Sequence, residues 1–154
     1  MTDGIPGLAQ DRSAWLVLLL DRAALGASGP GELDPVRIQK GMFLLSERGP
    51  ARRLYTFKAY DWGPFSSAIY GDLDALTRQG YLDEDRVPGR TWSTYRVTPS
   101  GHELASGMAA QIGSANVGWL RAAREFLTTR SFAQLLRDIY AEYPDFAVNS
   151  RFGR

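Results

Sequence analysis

Between Ser66 and Arg90 the chain carries side chains suited to holding phosphate and reading base edges. Ser66, Ser67, Tyr70 and Arg78 lie within one helical stretch, and Arg86 and Arg90 flank a Pro88-Gly89 turn. Backbone amides and hydroxyls at a helix start can hold a phosphate. Tyrosine offers stacking area and a hydroxyl, and arginine forks fit both phosphate and guanine. Upstream, Arg37 and Lys40 share a helical stretch, and Arg48, Arg52, Arg53 and Lys58 fall in a segment free of acids. The candidate nucleic-acid-binding set is therefore Arg37, Lys40, Arg52, Arg53, Ser66, Ser67, Tyr70, Arg78, Arg86 and Arg90.

Charge opposes this reading. From Asp61 to Asp85 the acids Asp61, Asp72, Asp74, Asp83, Glu84 and Asp85 face only Arg78, leaving −5, and a duplex repels such a surface unless flanking arginines outweigh it. The alternative is a protein-interaction module of antitoxin or adaptor type, whose acidic helix docks a basic partner. Each candidate also has a plainer role. Loop arginines are often simply solvated, Tyr70 can pack on the hairpin, and Arg37 or Lys40 can pair with Asp34 or Glu47. Trp62 and Phe65 around Gly63-Pro64 read as a staple fixing the entry to a helix.

Catalysis finds little support. The chain has no cysteine and one histidine, which removes thiolate chemistry and makes histidine metal sites implausible. His102 beside Glu103 reads as the solvated first turn of a helix. We expect no enzyme, metal or cofactor. The net charge of +1, from 18 basic and 17 acidic residues, exerts no global pull on polyanions, so any footprint must be local. The apolar run Trp15 to Leu20 is too short for a membrane span, and the N-terminus lacks a basic leader, so a cytoplasmic protein is expected, with residues 1–10 flexible.

Periodicity and capping signals place the elements. A first helix is predicted over Asp11 to Leu25, with Trp15, Leu16, Leu19, Leu20 and Ala23 on one face. Asp34-Pro35 starts a second that runs to Glu47 with Ile38, Met42 and Leu45 inward. Leu54 to Tyr60 reads as a strand and Trp62 to Phe65 as a turn. Ser66 or Ser67 caps a third helix ending before Gly80, with Phe65, Ile69, Leu73 and Leu76 inward and Ser67, Tyr70, Gly71, Asp74 and Arg78 outward. Tyr81 to Asp85 and Trp92 to Val97 pair as a hairpin. Thr98 to Ile112, Val117 to Thr128 and Phe132 to Tyr143 are helices, the last begun by a Ser131/Gln134 capping box. A hinge is expected near Gly107 to Gly118. The stripe Trp119, Leu120, Phe126, Leu135, Leu136 and Ile139 must pack on the first helix or form a dimer interface.

Helix, turn, helix and arginine-bearing hairpin form the order of a winged helix-turn-helix. The junction Tyr95 to Gly101 resembles that of MarR-like and PadR-like proteins. Arg37 to Leu45, with Tyr60-Asp61-Trp62-Gly63-Pro64-Phe65-Ser66, is similar to the small bacterial YwgA-like proteins and, more distantly, to the Panacea antitoxin domain. Tyr143 to Ser150 extends the YwgA-like resemblance to residues 34–150, with Ile38, Gly41 and Trp62 as departures. The resemblance implies a winged-helix fold and leaves activity open. The expected protein is mainly α (α+β), with a winged helix-turn-helix over residues 11–112, a small antiparallel wing and C-terminal helices over 113–154. It would act as a DNA-binding transcriptional regulator on double-stranded DNA, as a homodimer.

Overall fold

The computed structural model describes residues 11–152, so the expectation for residues 1–10 lies outside the described residues. The fold is mainly helical with two small antiparallel sheets. Helix α1 (Arg12–Leu20) is followed by the short α2 (Arg22–Leu25) and by α3 (Pro35–Arg48). A hairpin of β1 (Lys58–Tyr60) and β2 (Gly63–Phe65) leads into α4 (Ser67–Arg78). A second hairpin, β3 (Leu82–Arg86) and β4 (Ser93–Val97), precedes α5 (Pro99–Ile112), α6 (Ser114–Thr128), α7 (Phe132–Glu142) and a 3-10 turn, Pro144–Ala147. Among the described residues no helix is long and apolar enough to cross a membrane.

The single first helix expected over Asp11 to Leu25 is in fact two. Asp21 adopts an extended conformation, and its carboxylate accepts from the Ala24 amide at 3.0 Å, so it ends α1 and caps α2. Nor is α1 one-faced: Ala14 through Leu20 are all buried, as an all-apolar helix at the centre of a core must be. Helix α3 starts as its sequence indicates, with Asp34 Oδ1 accepting from the Arg37 amide at 2.9 Å and Pro35 in the first turn. It too is buried beyond the expected stripe, because α1 and α6 cover one side and β2 another. Gly41 explains itself here: a Cβ would press on side-chain methyls of Leu19 and Leu127, so the missing methyl lets three helices meet closely.

The segment expected as a short strand over Leu54 to Tyr60 and a turn is instead a hairpin of two three-residue strands, in which Tyr60 pairs with Gly63 and Lys58 with Phe65. Asp61 and Trp62 form the tip, Gly63 supplies a φ of +90°, and Pro64 is tolerated because the sheet has only two strands and each is an edge. At its turn end the second hairpin runs one residue past the expected Asp85 to Arg86 but begins its second strand at Ser93, one residue after the expected Trp92, and Gly89 at φ +86° makes its turn. Leu33 bridges to Tyr95 through two backbone hydrogen bonds of 3.1 and 2.9 Å, tying the loop before α3 onto β4. Thr98 Oγ1 caps α5, and a Cβ on Gly101 would collide with the Tyr81 carbonyl, so any larger residue there forces the backbone to shift.

The C-terminal helices share the core of the rest of the chain. Leu120, Leu127, Leu135 and Ile139 join residues of α1 and α3 in one cluster, while Trp119 and Phe126 of the same stripe are partly covered. Within Gly107 to Gly118 the chain runs in helix except at Gly113, whose φ of +88° separates α5 from α6. Arg124 is fully buried and donates to the Leu19 and Pro30 carbonyls at 2.7 Å each, fastening α6 to α1 and to the following loop. The Ser131/Gln134 capping box is formed in both directions. Beyond α7, Tyr143 and Phe146 pack edge-on against Phe43, and Asn149 and Arg151 hydrogen-bond the backbone of the first hairpin.

Candidate functional site

Helix α4 has the two faces its periodicity dictates. Ile69, Leu73 and Leu76 are buried, while Ser67, Tyr70, Gly71, Asp74 and Arg78 are exposed. Phe65, expected within the buried stripe, lies on β2 and is only partly covered, stacked on Tyr60 at 4.7 Å and touching Tyr70 at 5.8 Å. Tyr70 remains 43% exposed, and partial burial, followed by the field of Asp34, raises its pKa. Trp62 and Phe65 do not form the expected staple, because Trp62 turns to Phe132 of α7, 5.5 Å away.

The carboxylates near α4 are met by guanidiniums, several from outside the acidic interval. Arg12 Nε lies 2.8 Å from Asp72, which also accepts from the Tyr55 hydroxyl. Arg78 pairs with Asp74 at 3.3 Å, Arg151 with Asp61 at 3.3 Å, and Arg86 with Glu84 at 3.7 Å. Arg96 bridges Asp83 and Asp85. Five guanidiniums thus stand against the six acids, and the sequence count of −5 falls to about −1 in space. The same pairs hold Arg78, Arg86 and Arg96 in exposed bridges of low individual worth, from which a phosphate could draw them.

The ten candidate residues separate. Arg37 is drawn into the fold: its guanidinium meets Asp34 at 2.6 Å and the Leu127 and Arg130 carbonyls at 3.0 and 2.9 Å, where it tethers α3 to the C-terminal end of α6. Lys40 is 2% exposed and donates to the Pro64 carbonyl at 3.0 Å, so it is not a surface phosphate contact. Ser66 is 4% exposed, its backbone amide and carbonyl held by the Gln39 amide group at 2.9 Å each. Its side chain makes no capping bond to α4. Arg52, Arg53, Ser67, Tyr70, Arg78, Arg86 and Arg90 are exposed, and Arg90 lies over the Trp92 ring at 5.6 Å.

At the N-terminal end of α4 the chain encloses an open groove of about 490 Å³, walled by Arg12, Arg53, Lys58, Tyr60, Phe65 and Ser67. Arg53 and Lys58 are exposed and form no ion pair within the described residues, and Ser66, whose hydroxyl makes no capping bond, lines the same groove. Arg53 holds a φ of +62°, the one described non-glycine residue in the left-handed region. Such a conformation costs on the order of 1 kcal/mol and persists only where its surroundings impose it. The groove joins residues 12, 53, 58 and 67, and no local pattern announces Arg12 as part of it. A second, smaller recess lies between α3, the first hairpin and α4, with Lys40 in its wall.

The chain matches no family model and no curated protein.

Elsewhere, His102 is exposed in the first turn of α5, as its sequence neighbourhood suggests, but its ring is engaged on both sides. Nδ1 lies 2.7 Å from the buried Asp21 carboxylate and Nε2 lies 3.3 Å from Ser106 Oγ, so the ring pins α5 to the break between α1 and α2. Among the described residues no cluster of three or more His, Cys, Asp or Glu is placed to hold a metal.

Proposed function

We propose that the protein is a winged-helix DNA-binding regulator, with α3 and α4 as its helix-turn-helix, α4 as the helix offered to the major groove and β3–β4 as its wing. The observation that carries this reading is the groove at the start of α4. Two cations without an ion pair among the described residues, Arg53 and Lys58, stand beside the first turn of a helix whose outward face bears Ser67, Tyr70 and Arg78. A phosphate there gains both cations and the positive end of the helix, while Tyr70, and Arg78 once drawn from its exposed pair with Asp74, meet base edges. Pairing of the acids removes most of the repulsion that a count along the chain implies. Arg90 at the hairpin turn extends the contact, and Arg37, Lys40 and Ser66 serve the fold instead.

Docking of a basic protein on α4 is the competing reading, resting on the acids that flank Tyr70. Only Asp74, 69% exposed, is open to such a partner, since Asp72 is spent on Arg12 and Tyr55.

The test is fluorescence anisotropy of a labelled random duplex at rising salt, with the wild type, Arg53→Ala/Lys58→Ala and Asp74→Lys side by side. DNA binding should weaken steeply with salt, lose about two phosphate contacts' worth of salt slope in the double variant, and tighten on charge reversal at Asp74. No binding at low salt would end the proposal.

A further inference from the structure

The recess beside α3 has the composition of a ligand site. It measures about 140 Å³, and its aromatic walls are Tyr60, Trp62, Phe65 and Tyr70, with Gln39 and Lys40 as its polar members. Gln39 is fully committed to the Ser66 backbone. Lys40 is different. Its ammonium has three donors, one of which meets the Pro64 carbonyl at 3.0 Å, and no other acceptor reaches it among the described residues. The carboxylate that acts on it from a distance is Asp34, itself held by Arg37 at 2.6 Å. A buried ammonium without a contacting anion is costly, and burial pushes the Lys40 amine down from 10.5 to about 7. A ligand bringing its own carboxylate would supply both missing acceptors in a single bidentate group.

Size and shape narrow the ligand further. A cavity of about 150 Å³ lined by apolar side chains holds one benzene-sized molecule, so this recess admits a single ring and little more. Tyr60, Trp62 and Tyr70 are 53%, 41% and 43% exposed, leaving the mouth open and rimmed by aromatic faces. We propose that the recess is a binding site for a small single-ring aromatic carboxylate, whose ring stacks among Tyr60, Trp62, Phe65 and Tyr70 and whose carboxylate pairs with the Lys40 amine. The proposal is independent of DNA binding, although Tyr70 belongs both to this wall and to the outward face of α4.

Benzoate is the probe and benzyl alcohol, with the same ring and no charge, its control. Titration calorimetry on the wild type should give saturable benzoate binding with a Kd on the order of 0.1–1 mM, at least about tenfold tighter than benzyl alcohol. Benzoate should also change the emission of Trp62, a response that Trp62→Phe removes while calorimetric binding persists. In Lys40→Met, which keeps an unbranched chain one atom shorter and without the charge, benzoate should fall to the benzyl alcohol level. Equal affinity for the two probes on the wild type, or no saturable binding of benzoate at tens of millimolar, overturns the proposal without recourse to any variant. A folded Lys40→Met that binds benzoate as the wild type does would overturn it equally.

Discussion

Arg12 and Asp72 lie 60 residues apart in the chain and 2.8 Å apart in space, with Tyr55 donating to the same carboxylate and the Arg12 guanidinium lying 4.7 Å over the Tyr55 ring. This triad anchors the start of α1 to α4 and withdraws one acid from the electrostatics of the outward helix face. Removing Arg12 has two expected consequences. Arg12→Ala should lose about 1 kcal/mol of stability, and a double-mutant cycle with Asp72→Asn in urea titrations should give a coupling of about the same size, since Asp72 is mostly covered. Affinity for duplex should also fall as Asp72 regains its uncompensated charge, while Asp72→Asn should not weaken it.

Arg53 separates fold from function. Its φ of +62° is one that glycine adopts without strain, so Arg53→Gly should leave the urea midpoint unchanged or raise it by the equivalent of up to about 1 kcal/mol. The same substitution should weaken DNA binding several-fold. Measuring both on one preparation distinguishes a cation kept for binding from one that merely decorates a loop.

Lys40 gives a pH signature of stability. Its amine titrates near 7 in the folded protein against an ordinary 10.5, so between those values the unfolded chain binds a proton that the folded one does not. Stability contributed through this group therefore rises with pH from about 7 to about 10, by up to ~1.4 kcal/mol per unit, and the penalty of the buried charge is fully present below 7. Lys40→Met should be more stable than the wild type near neutral pH, with the difference shrinking as pH approaches 10. Urea midpoints of the two proteins at pH 6, 7, 8 and 9 provide the check.

Gly101 tests the junction between the second hairpin and α5. Gly101→Ala places a methyl against the Tyr81 carbonyl and the Val97 side chain, and because the first of these is backbone the site cannot yield cheaply. A loss of roughly 2–3 kcal/mol is expected, within the range for overpacked cores. Gly107→Ala on the same helix has open space around it and should be neutral or slightly stabilising. Thermal melts of the pair compare the two directly.

What the sequence discloses is what neighbours in sequence decide. Asp34-Pro35, Thr98-Pro99 and the Ser131/Gln134 box each start a helix where their local chemistry dictates, and the 3.6-residue period separates Ile69, Leu73 and Leu76 from Ser67, Tyr70 and Asp74. The failures are of another kind. Asp21 breaks the first helix in a position where His102, 81 residues away, secures its carboxylate. Lys40 looks like a surface cation until β2 closes over it, and the first hairpin hides in a Trp-Gly-Pro string that reads as a turn. The acids around α4 look unopposed because Arg12, Arg96 and Arg151 reach them from beyond the interval. Burial and ion pairing over such separations leave no trace in a local window.

Helix α4 is the element offered to duplex DNA in the proposed function. Amide hydrogen exchange, with and without a random duplex at low salt, tests that role most directly. The account expects protection confined to the first two turns of α4, the segment around Arg53 to Lys58 and the Val87 to Arg90 turn, and reversal of that protection by salt. Binding that leaves the α4 amides unchanged, with protection elsewhere on the protein, would contradict it.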